Sequence, residues 1–324
     1  MEIILNIGAH RCATTSFQAY MRANADQLAG HGIGFWGPGR TRNGLLSGVL
    51  PVPGPRPPDQ QFTRACGRIA LACTKAERQG LRMMLVSDEN MIGTPRASIK
   101  AGLIYPHAGA RIARHLAAFG GQVTRIGLSI RSNELWWASC MAFAVGRGHP
   151  LPDPAQLAPI ALAERSWRDV ITDIACAAPG VDILVMPHEA LGGLPDLRLW
   201  QMTGGALLPP MTHARDCLNA APDLAELRRA LRQRGTDPAA LRGQGRWMPF
   251  DDTARATLRE RYQDDLFWLR SGADGLARLA SDTLRAAPPG SLTGTEDAGE
   301  HLRSGKLRRG RDDDFEQGRM VGNR

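Results

Sequence analysis

Short apolar runs alternate with longer amphipathic stretches along most of the chain. The apolar runs are five to eight residues long, and the first is rich in β-branched residues, so they predict buried strands. They lie at residues 3–7, 82–87, 123–130 and 181–186. Helices are predicted at residues 14–28, 61–79, 107–119, 135–145, 160–177, 195–203, 222–234, 251–270 and 272–285. Strands that alternate with helices predict an α/β fold in three layers, with a mostly parallel central sheet flanked by helices.

Proline and glycine interrupt this alternation in two places. Residues 37–60 predict a long irregular loop, and residues 150–159 predict a break before the next helix. Residues 287–324 contain almost no large apolar side chains. Such a segment buries too little surface to offset the entropy of ordering it, so it is predicted to be disordered. The chain therefore divides into an α/β domain at 1–286 and a tail at 287–324.

The composition is that of an ordinary globular protein, with 43% hydrophobic and 22% charged residues. No apolar run approaches the roughly 20 residues that cross a bilayer, so no transmembrane segment is expected. The first residues carry no basic stretch of a signal peptide, and a cytoplasmic location is expected. The 6 cysteines form no Cys-x-x-Cys pair. This spacing favours reduced thiols over a disulfide framework or a zinc site.

The net charge of +8 suits a multiply anionic ligand or an acidic substrate, although an arginine-rich composition also fits a GC-rich genome. The basic stretch at residues 307–311 is interpreted as part of a solvated tail. No nucleic acid partner is expected.

A strand that turns sharply into a helix opens the chain. The first amides of a helix have no partner within it, and they favour an anion together with the helix dipole. Three consecutive hydroxyls begin this helix, and an arginine in the preceding turn adds a positive charge suited to phosphate or sulfate. The candidate anion-binding residues are Gly8, Ala9, His10, Arg11, Cys12, Ala13, Thr14, Thr15 and Ser16.

Two other interpretations of this loop are open, a nucleotide-binding loop and a helix cap. The nucleotide-binding loop Gly-x4-Gly-Lys-Ser/Thr has a second glycine and a lysine that this chain lacks at the corresponding spacing from Gly8. A standard ATP or GTP site is therefore disfavoured. The simpler alternative is that the hydroxyls of residues 14–16 only cap the helix.

A second pair of candidate ligand residues follows the strand at 123–130. Arg131 stands directly after that strand, and Ser139 lies eight residues further on in the next predicted helix. Because ligands of α/β sheets bind at the carboxyl ends of the strands, both side chains are expected at the same edge as the first loop.

The two features together resemble the sulfotransferase family, which transfers a sulfuryl group from 3′-phosphoadenosine-5′-phosphosulfate (PAPS). That family has a P-loop-like fold, a Pro-Lys-Ser-Gly-Thr-Thr type loop for the 5′-phosphosulfate and an Arg-x7-Ser element for the 3′-phosphate. Residues 10–15 occupy the first position here, and Arg131 with Ser139 the second. The opening Asn-Ile-Gly-Ala-His-Arg-Cys-Ala-Thr-Thr-Ser-Phe-Gln, the Ser-Asp-Glu at 87–89 and the helix at 258–269 are similar to bacterial members.

The resemblance implies a sulfotransferase that uses PAPS as co-substrate and requires no metal. Arg11 stands where the family usually has lysine, and Ala13 where it has glycine. An arginine keeps the positive charge but does not shuttle protons, so its implied role is to stabilise charge on the leaving phosphate. Cys12 replaces a serine, and its backbone N–H is expected to hold the anion. Glu89 is the candidate base that deprotonates the acceptor.

Several alternatives stay open for the carboxylates and histidines. Asp88 or Glu89 caps the following segment or pairs with an arginine in the simpler interpretation. His10 and His107 are rival bases, and positive surroundings are expected to lower the pKa of His10. Glu189, next to His188 after the fourth predicted strand, is interpreted as structural. The adjacent tryptophans at 136 and 137 are interpreted as core residues.

The acceptor is expected to be a hydroxyl or an amine, on a small molecule, a carbohydrate or a lipid. Two other functions are considered: a divergent P-loop kinase or NTPase, and a catalytically silent module that binds PAPS or another nucleotide. The absent loop lysine disfavours the first. Arg11 and Ala13, in place of lysine and glycine, motivate the second. The sequence contains no signal for an oligomeric state.

Overall fold

Six parallel strands form one sheet in the computed structural model, which describes residues 1–205 and 207–280. The strand order is β2-β3-β1-β4-β5-β6. The strands are β1 Glu2–Asn6, β2 Ile33–Trp36, β3 Met83–Ser87, β4 Val123–Ile130, β5 Asp182–Pro187 and β6 Arg278–Leu279. Every pairing is parallel, so the predicted α/β fold with a parallel sheet is confirmed.

Helices cover both faces of the sheet because the central strands are apolar on both. Ile3 and Leu5 of β1 pack into one core cluster, whereas Ile4 packs into a second cluster with Phe17 and Leu199. The helices are α1 Thr14–Ala23, α2 Ala25–Gly30, α3 Pro38–Arg40, α4 Pro58–Arg78, α5 Pro95–Ala101, α6 Ala108–Ala118, α7 Asn133–Gly146, α8 Pro154–Leu162, α9 Trp167–Ala177, α10 His188–Leu191, α11 Pro195–Met202, α12 Leu224–Gln233 and α13 Asp252–Arg270. Short helical turns also form at Thr41–Leu45, Glu89–Met91 and Ala273–Gly275.

The two strands at the sheet edges were not predicted. β2 is only four residues long and contains a glycine, so its apolar pattern is too short to stand out. The helix predicted at 272–285 is wrong over its described part, which forms a turn and then β6. Positive φ angles at Gly272, Asp274 and Gly275 prevent a helix from continuing there.

The helix predicted at 160–177 is also wrong, because it is two helices. α8 begins earlier, at Pro154, where Asp153 accepts a hydrogen bond from the N–H of Gln156. Proline is tolerated in the first turn of a helix, so residues 150–159 are not the break that their prolines suggested. α9 then begins at Trp167 behind a second cap from Ser166. The helix predicted at 14–28 likewise breaks at Asn24.

The sheet order places β1 between β3 and β4. The strands β2 and β3 lie on one side of β1, and the later strands β4, β5 and β6 lie on the other, so the order in which strands are added reverses at β1. Such a reversal opens a crevice outside the carboxyl ends of the strands. The loop after β1, Glu89 after β3, Arg131 after β4 and His188 after β5 therefore lie at one edge, as predicted.

Trp136 and Trp137 are both buried, with 0% and 2% of their surface exposed, so their assignment to the core is confirmed. Their rings meet edge to face at 4.8 Å. None of the described helices is long and apolar enough to span a bilayer. The tail at 287–324, predicted to be disordered, lies outside the described residues.

Candidate anion-binding site

The loop after β1 contains two left-handed residues separated by one residue that is not left-handed. Arg11 and Ala13 have φ angles of 64° and 59°, whereas Cys12 between them has a negative φ. Alternation of this kind turns successive N–H groups into one concavity, an arrangement that binds anions. Gly8 keeps a negative φ and serves close packing instead, since a Cβ there would meet Thr14 Cγ2 at 3.2 Å.

The amides of this concavity have no partner in the described part of the chain. The first hydrogen bond of α1 runs from Phe17 N to Ala13 O, at 3.1 Å. The N–H groups of residues 11–16 precede it, and none of them donates to a described protein acceptor. The capping alternative does not hold, because the cap position is Ala13 and no side chain accepts a bond from the first turn.

The carbonyls of the loop point the other way, towards buried side chains. Trp136 Nε1 donates to the carbonyl of His10 at 3.0 Å, and Arg131 Nη1 donates to the carbonyl of Arg11 at 2.8 Å. Because the C=O and the following N–H of a trans peptide point in opposite directions, each such bond turns an amide towards the open side of the loop.

Arg198 donates to the next two carbonyls, and it was not among the residues predicted from the sequence. Its Nη1 donates to Cys12 O at 3.2 Å and to Ala13 O at 3.3 Å. A sequence signal did exist, because Pro195, Arg198, Leu199 and Met202 recur at helical spacing and all are buried. An arginine on the apolar stripe of α11 is an exception to that pattern.

Three hydroxyls beside the amides accept bonds from the protein and keep their own hydrogens free. Leu218 N donates to Ser16 Oγ at 2.9 Å, and Asn219 Nδ2 donates to Thr15 Oγ1 at 3.3 Å. Arg11 Nε donates to Ser139 Oγ at 3.1 Å. A hydroxyl that already accepts a bond still has one hydrogen to donate. These hydrogens have no described acceptor, so the surface is a set of donors that suits an anion.

The contact between Arg11 and Ser139 joins the two constellations found in the sequence. The Arg11 guanidinium also donates to Asn219 O at 3.0 Å and lies 4.7 Å from the Phe143 ring centre. Arg131 is only 8% exposed, and its Nε has no hydrogen-bond partner among the described residues. A buried N–H without an acceptor is costly, so a ligand acceptor would stabilise it.

Cys12 lies behind the loop with its side chain fully buried. Burial raises the pKa of its thiol to about 12, so the side chain stays a neutral thiol at physiological pH. With Gly8 and Ala9, it forms the buried support of the loop. The loop residues that line the cleft are His10, Arg11, Ala13, Thr14, Thr15 and Ser16.

Glu89 lies at the β3 side of the cleft in a polar cluster. It accepts hydrogen bonds from Gln18 Nε2 at 2.9 Å and from Arg42 Nη2 at 3.1 Å. Asp88 beside it is 3% exposed and accepts from Thr41 Oγ1 at 2.6 Å, from Arg42 and from the N–H of Asn90. Asp88 is therefore a cap, and Glu89 is the carboxylate that faces the cleft while paired with an arginine.

His10 bridges the loop and this polar cluster. Its Nδ1 lies 2.8 Å from Tyr105 Oη, and its Nε2 lies 3.0 Å from the Asn90 amide. Burial lowers the pKa of His10, and Arg42 lowers it further, against an opposing effect of Glu89. The direction agrees with the sequence expectation, but the main cause is desolvation rather than positive charge. The imidazole is therefore neutral.

Among the other candidate bases near these strands, His107 and Glu189 lie outside the lining of the cleft, whereas His188 is part of it. His107 is an exposed residue at the start of α6 and does not line the cleft. Glu189 accepts from Ser132 N at 2.9 Å and from Tyr262 Oη at 2.7 Å, so its structural role is confirmed. His188 does line the cleft, and burial with nearby arginines lowers its pKa to about 4.

The cleft that contains these groups has a volume of about 1400 Å³. Its charged lining is strongly biased towards cations, which favours an anionic ligand. The cations are Arg11, Arg22, Arg42, Arg96, Lys100, Arg131, Arg147, Arg215 and Arg246, and the carboxylates are Glu89, Asp216 and Asp223. Within the described residues, no group of three or more histidine, cysteine or acidic side chains could hold a metal ion.

Comparisons of this chain with protein-family models, with curated proteins and with solved structures find no match.

Proposed function

We propose that this protein is a sulfotransferase that moves a sulfuryl group from PAPS to a hydroxyl or amine acceptor. The observation that carries the proposal is the one-sided polarity of the loop at residues 10–16. The carbonyls of residues 10–13 accept from buried donors, while the amides of residues 11–16 and the hydroxyl hydrogens of Thr15 and Ser16 have no described partners. A second donor group, Arg131 with Ser139, lies beside it and suits a ligand with two separate anionic groups.

The loop and the second donor group would each bind one of the two anionic groups of such a ligand. The amides of residues 11–16 and the hydroxyls of Thr15 and Ser16 would hold the 5′-phosphosulfate. The unpartnered Nε of Arg131 and the hydroxyl of Ser139 would hold the 3′-phosphate. Arg11 lies between the two groups, where its charge would stabilise the negative charge that develops on the leaving phosphate.

The acceptor would enter from the β3 side of the cleft, where Glu89 is the candidate base. Gln18 and Arg42 fix the orientation of its carboxylate. The cations Arg22, Arg96 and Lys100 also line the cleft and support an anionic carbohydrate or lipid head group as acceptor.

Calorimetric titration with 3′-phosphoadenosine-5′-phosphate (PAP), ATP with magnesium, and GTP tests the ligand. PAP should bind without magnesium, and Arg131→Ala should weaken it about 10- to 100-fold, the equivalent of roughly 1.5–3 kcal/mol for bonds to a charged group. Arg270→Ala, an exposed arginine at the end of α13, is the control. Binding of ATP with magnesium alone would contradict the proposal and favour a divergent kinase or NTPase.

Turnover of labelled PAPS with a panel of acceptors separates an enzyme from a silent module. Glu89→Gln should abolish most transfer while PAP affinity changes little. Glu189→Gln is the matched control, since that carboxylate holds Ser132 and Tyr262. Full activity in Glu89→Gln would show that Glu89 is not the base. A protein that binds PAP and transfers nothing would be a silent module.

A further inference from the structure

Arg198 is a buried cation with no carboxylate partner in the described part of the chain. Only 1% of its surface is exposed, and its guanidinium lies 4.8 Å from the Phe17 ring centre. Its Nη2 donates to Ser129 Oγ at 2.9 Å, and its other bonds go to the carbonyls of the anion loop. Buried charges in proteins are normally paired, so an unpaired one behind a set of outward-facing amides requires an explanation.

The peptide geometry supplies that explanation. Cys12 O and Ala13 O both point at Arg198, at 3.2 and 3.3 Å. The N–H groups of Ala13 and Thr14 belong to the same two peptide planes and therefore point away from Arg198, into the cleft. The left-handed φ of Ala13 is strained for a residue with a Cβ, so these peptides need an external restraint to stay in this orientation.

We propose that Arg198 is a positioning residue for the anion: it fixes the orientation of two loop peptides and supplies the buried positive charge behind them. The negative charge that balances it is then the bound anion on the other side of the loop. This inference rests on the proposed function only in that an anion binds at residues 11–16. It requires neither PAPS nor sulfuryl transfer.

A purely structural role makes a different prediction from a positioning role. If Arg198 only stabilises the packing of α11 against β4, its replacement lowers the melting temperature without changing anion affinity in the folded protein. If it orients the amides and balances the anion, affinity falls even well below the melting temperature. Affinity also falls if the charge alone is removed.

The test measures binding of PAP and, separately, of inorganic pyrophosphate by calorimetry. Arg198→Met should lower the affinity of the protein for both ligands at least tenfold. Arg125→Met is the matched control, because Arg125 is a part-buried arginine on β4 that donates to Asp182 and to the carbonyl of Met202. It should lower the melting temperature and leave both affinities within about twofold. Equal affinities in Arg198→Met and Arg125→Met would overturn the proposal.

Arg198→Lys adds a readout that packing alone does not change. A buried ammonium loses its proton far more readily than a guanidinium, so affinity in this variant should fall between pH 7 and 9, while the wild type stays level. The groups that face Arg198 do not titrate in this range. Burial raises the pKa of Cys12 to about 12, and burial with nearby arginines lowers that of His188 to about 4. Burial lowers the pKa of Arg198 itself to about 10, which is still above this range.

The outcomes separate the two proposals. A level pH profile in Arg198→Lys that matches the wild type would overturn the positioning role. If the wild type binds pyrophosphate but not PAP, the proposed function fails, and the pyrophosphate affinities still decide the role of Arg198. If the wild type binds neither ligand, both proposals fail. Circular dichroism checks folding, and should Arg198→Met be unfolded, Arg198→Lys alone decides.

Discussion

Arg11 and Ala13 carry left-handed backbone conformations in the loop that presents the unpartnered amides. Each such residue with a Cβ costs roughly 1–2 kcal/mol relative to the right-handed region. Strain of this kind persists only where the surroundings hold it. Here the restraint comes from Trp136, Arg131 and Arg198, which donate to the carbonyls of residues 10–13. Ala13 therefore carries a conformational strain energy that a glycine at the same position would not have.

Ala13→Gly should therefore stabilise the protein. Relief of the left-handed strain exceeds the added entropy of glycine in the unfolded chain, and the expected gain in unfolding free energy is about 0.5–1 kcal/mol. Urea denaturation measures it. Ala19→Gly is the control, because the same change inside α1 should cost about 1 kcal/mol. Losses of equal size in both variants would mean that residue 13 is not left-handed in solution.

Buried carboxylates join helices that are distant in the sequence. Asp265 of α13 is 3% exposed and accepts from Ser166 Oγ at 2.6 Å, Trp167 N at 3.0 Å and Arg168 N at 3.2 Å. It therefore serves as a cap for α9 supplied by another helix. Burial raises the pKa of this carboxyl to about 6, and the three donors oppose that rise.

Asp265→Ala should lower the free energy of unfolding by about 2–4 kcal/mol. The substitution leaves the Trp167 amide and the Ser166 hydroxyl without their acceptor, and each orphaned group costs roughly 1–3 kcal/mol before relaxation, whereas the Arg168 amide keeps Ser166 Oγ as an acceptor. Asp264→Ala is the control, since Asp264 is the exposed neighbour on the same helix and should change stability by less than about 0.5 kcal/mol. Denaturant midpoints measure both. A loss as small as that of Asp264→Ala would contradict the capping role.

At the scale of the whole molecule, the fold lowers the pKa of two histidines in the described part of the chain to about 4, in addition to the lowered pKa of His10. Burial lowers the pKa of His115 from 6.5 to about 4, and His188 is lowered to a similar value. The unfolded chain gains these protons near pH 6.5, whereas the folded chain resists them until about pH 4. The free energy of unfolding therefore falls as the pH drops through this window. Asp265, whose raised pKa favours the folded state as the pH falls below about 6, offsets part of this loss.

His115→Gln should make the stability of the protein less sensitive to acid. A depression of about 2.5 pKa units corresponds to at most about 3 kcal/mol between pH 6.5 and 4, and this part of the loss disappears with the imidazole. Urea unfolding at pH 7, 5.5 and 4.5 measures the change in slope. His107→Gln, an exposed histidine at the start of the same helix α6, should leave the slope unchanged. Identical slopes in all three proteins would show that His115 has the same pKa in the folded as in the unfolded chain.

Local pattern and tertiary packing contributed differently to what could be predicted. The strand at 123–130 was predicted with its observed bounds because β-branched or other large apolar residues recur from Val123 to Ile130. β2 and β6 are too short for such a signal and form by pairing with neighbours. The prolines near residue 154 were interpreted as a break, because proline at a helix start and proline in a loop look alike in sequence.

The sequence by itself determined the α/β class, the loop after β1 and the candidate residues Arg11, Arg131, Ser139 and Glu89, because strand–loop–helix patterns and charged residues after strands are local features. Tertiary structure alone decided how they meet. It brought Arg11 Nε within 3.1 Å of Ser139 Oγ, 128 residues away in the chain, and placed Arg198 behind the loop. Strand order sets these distances, and it depends on contacts between distant segments that no local pattern encodes.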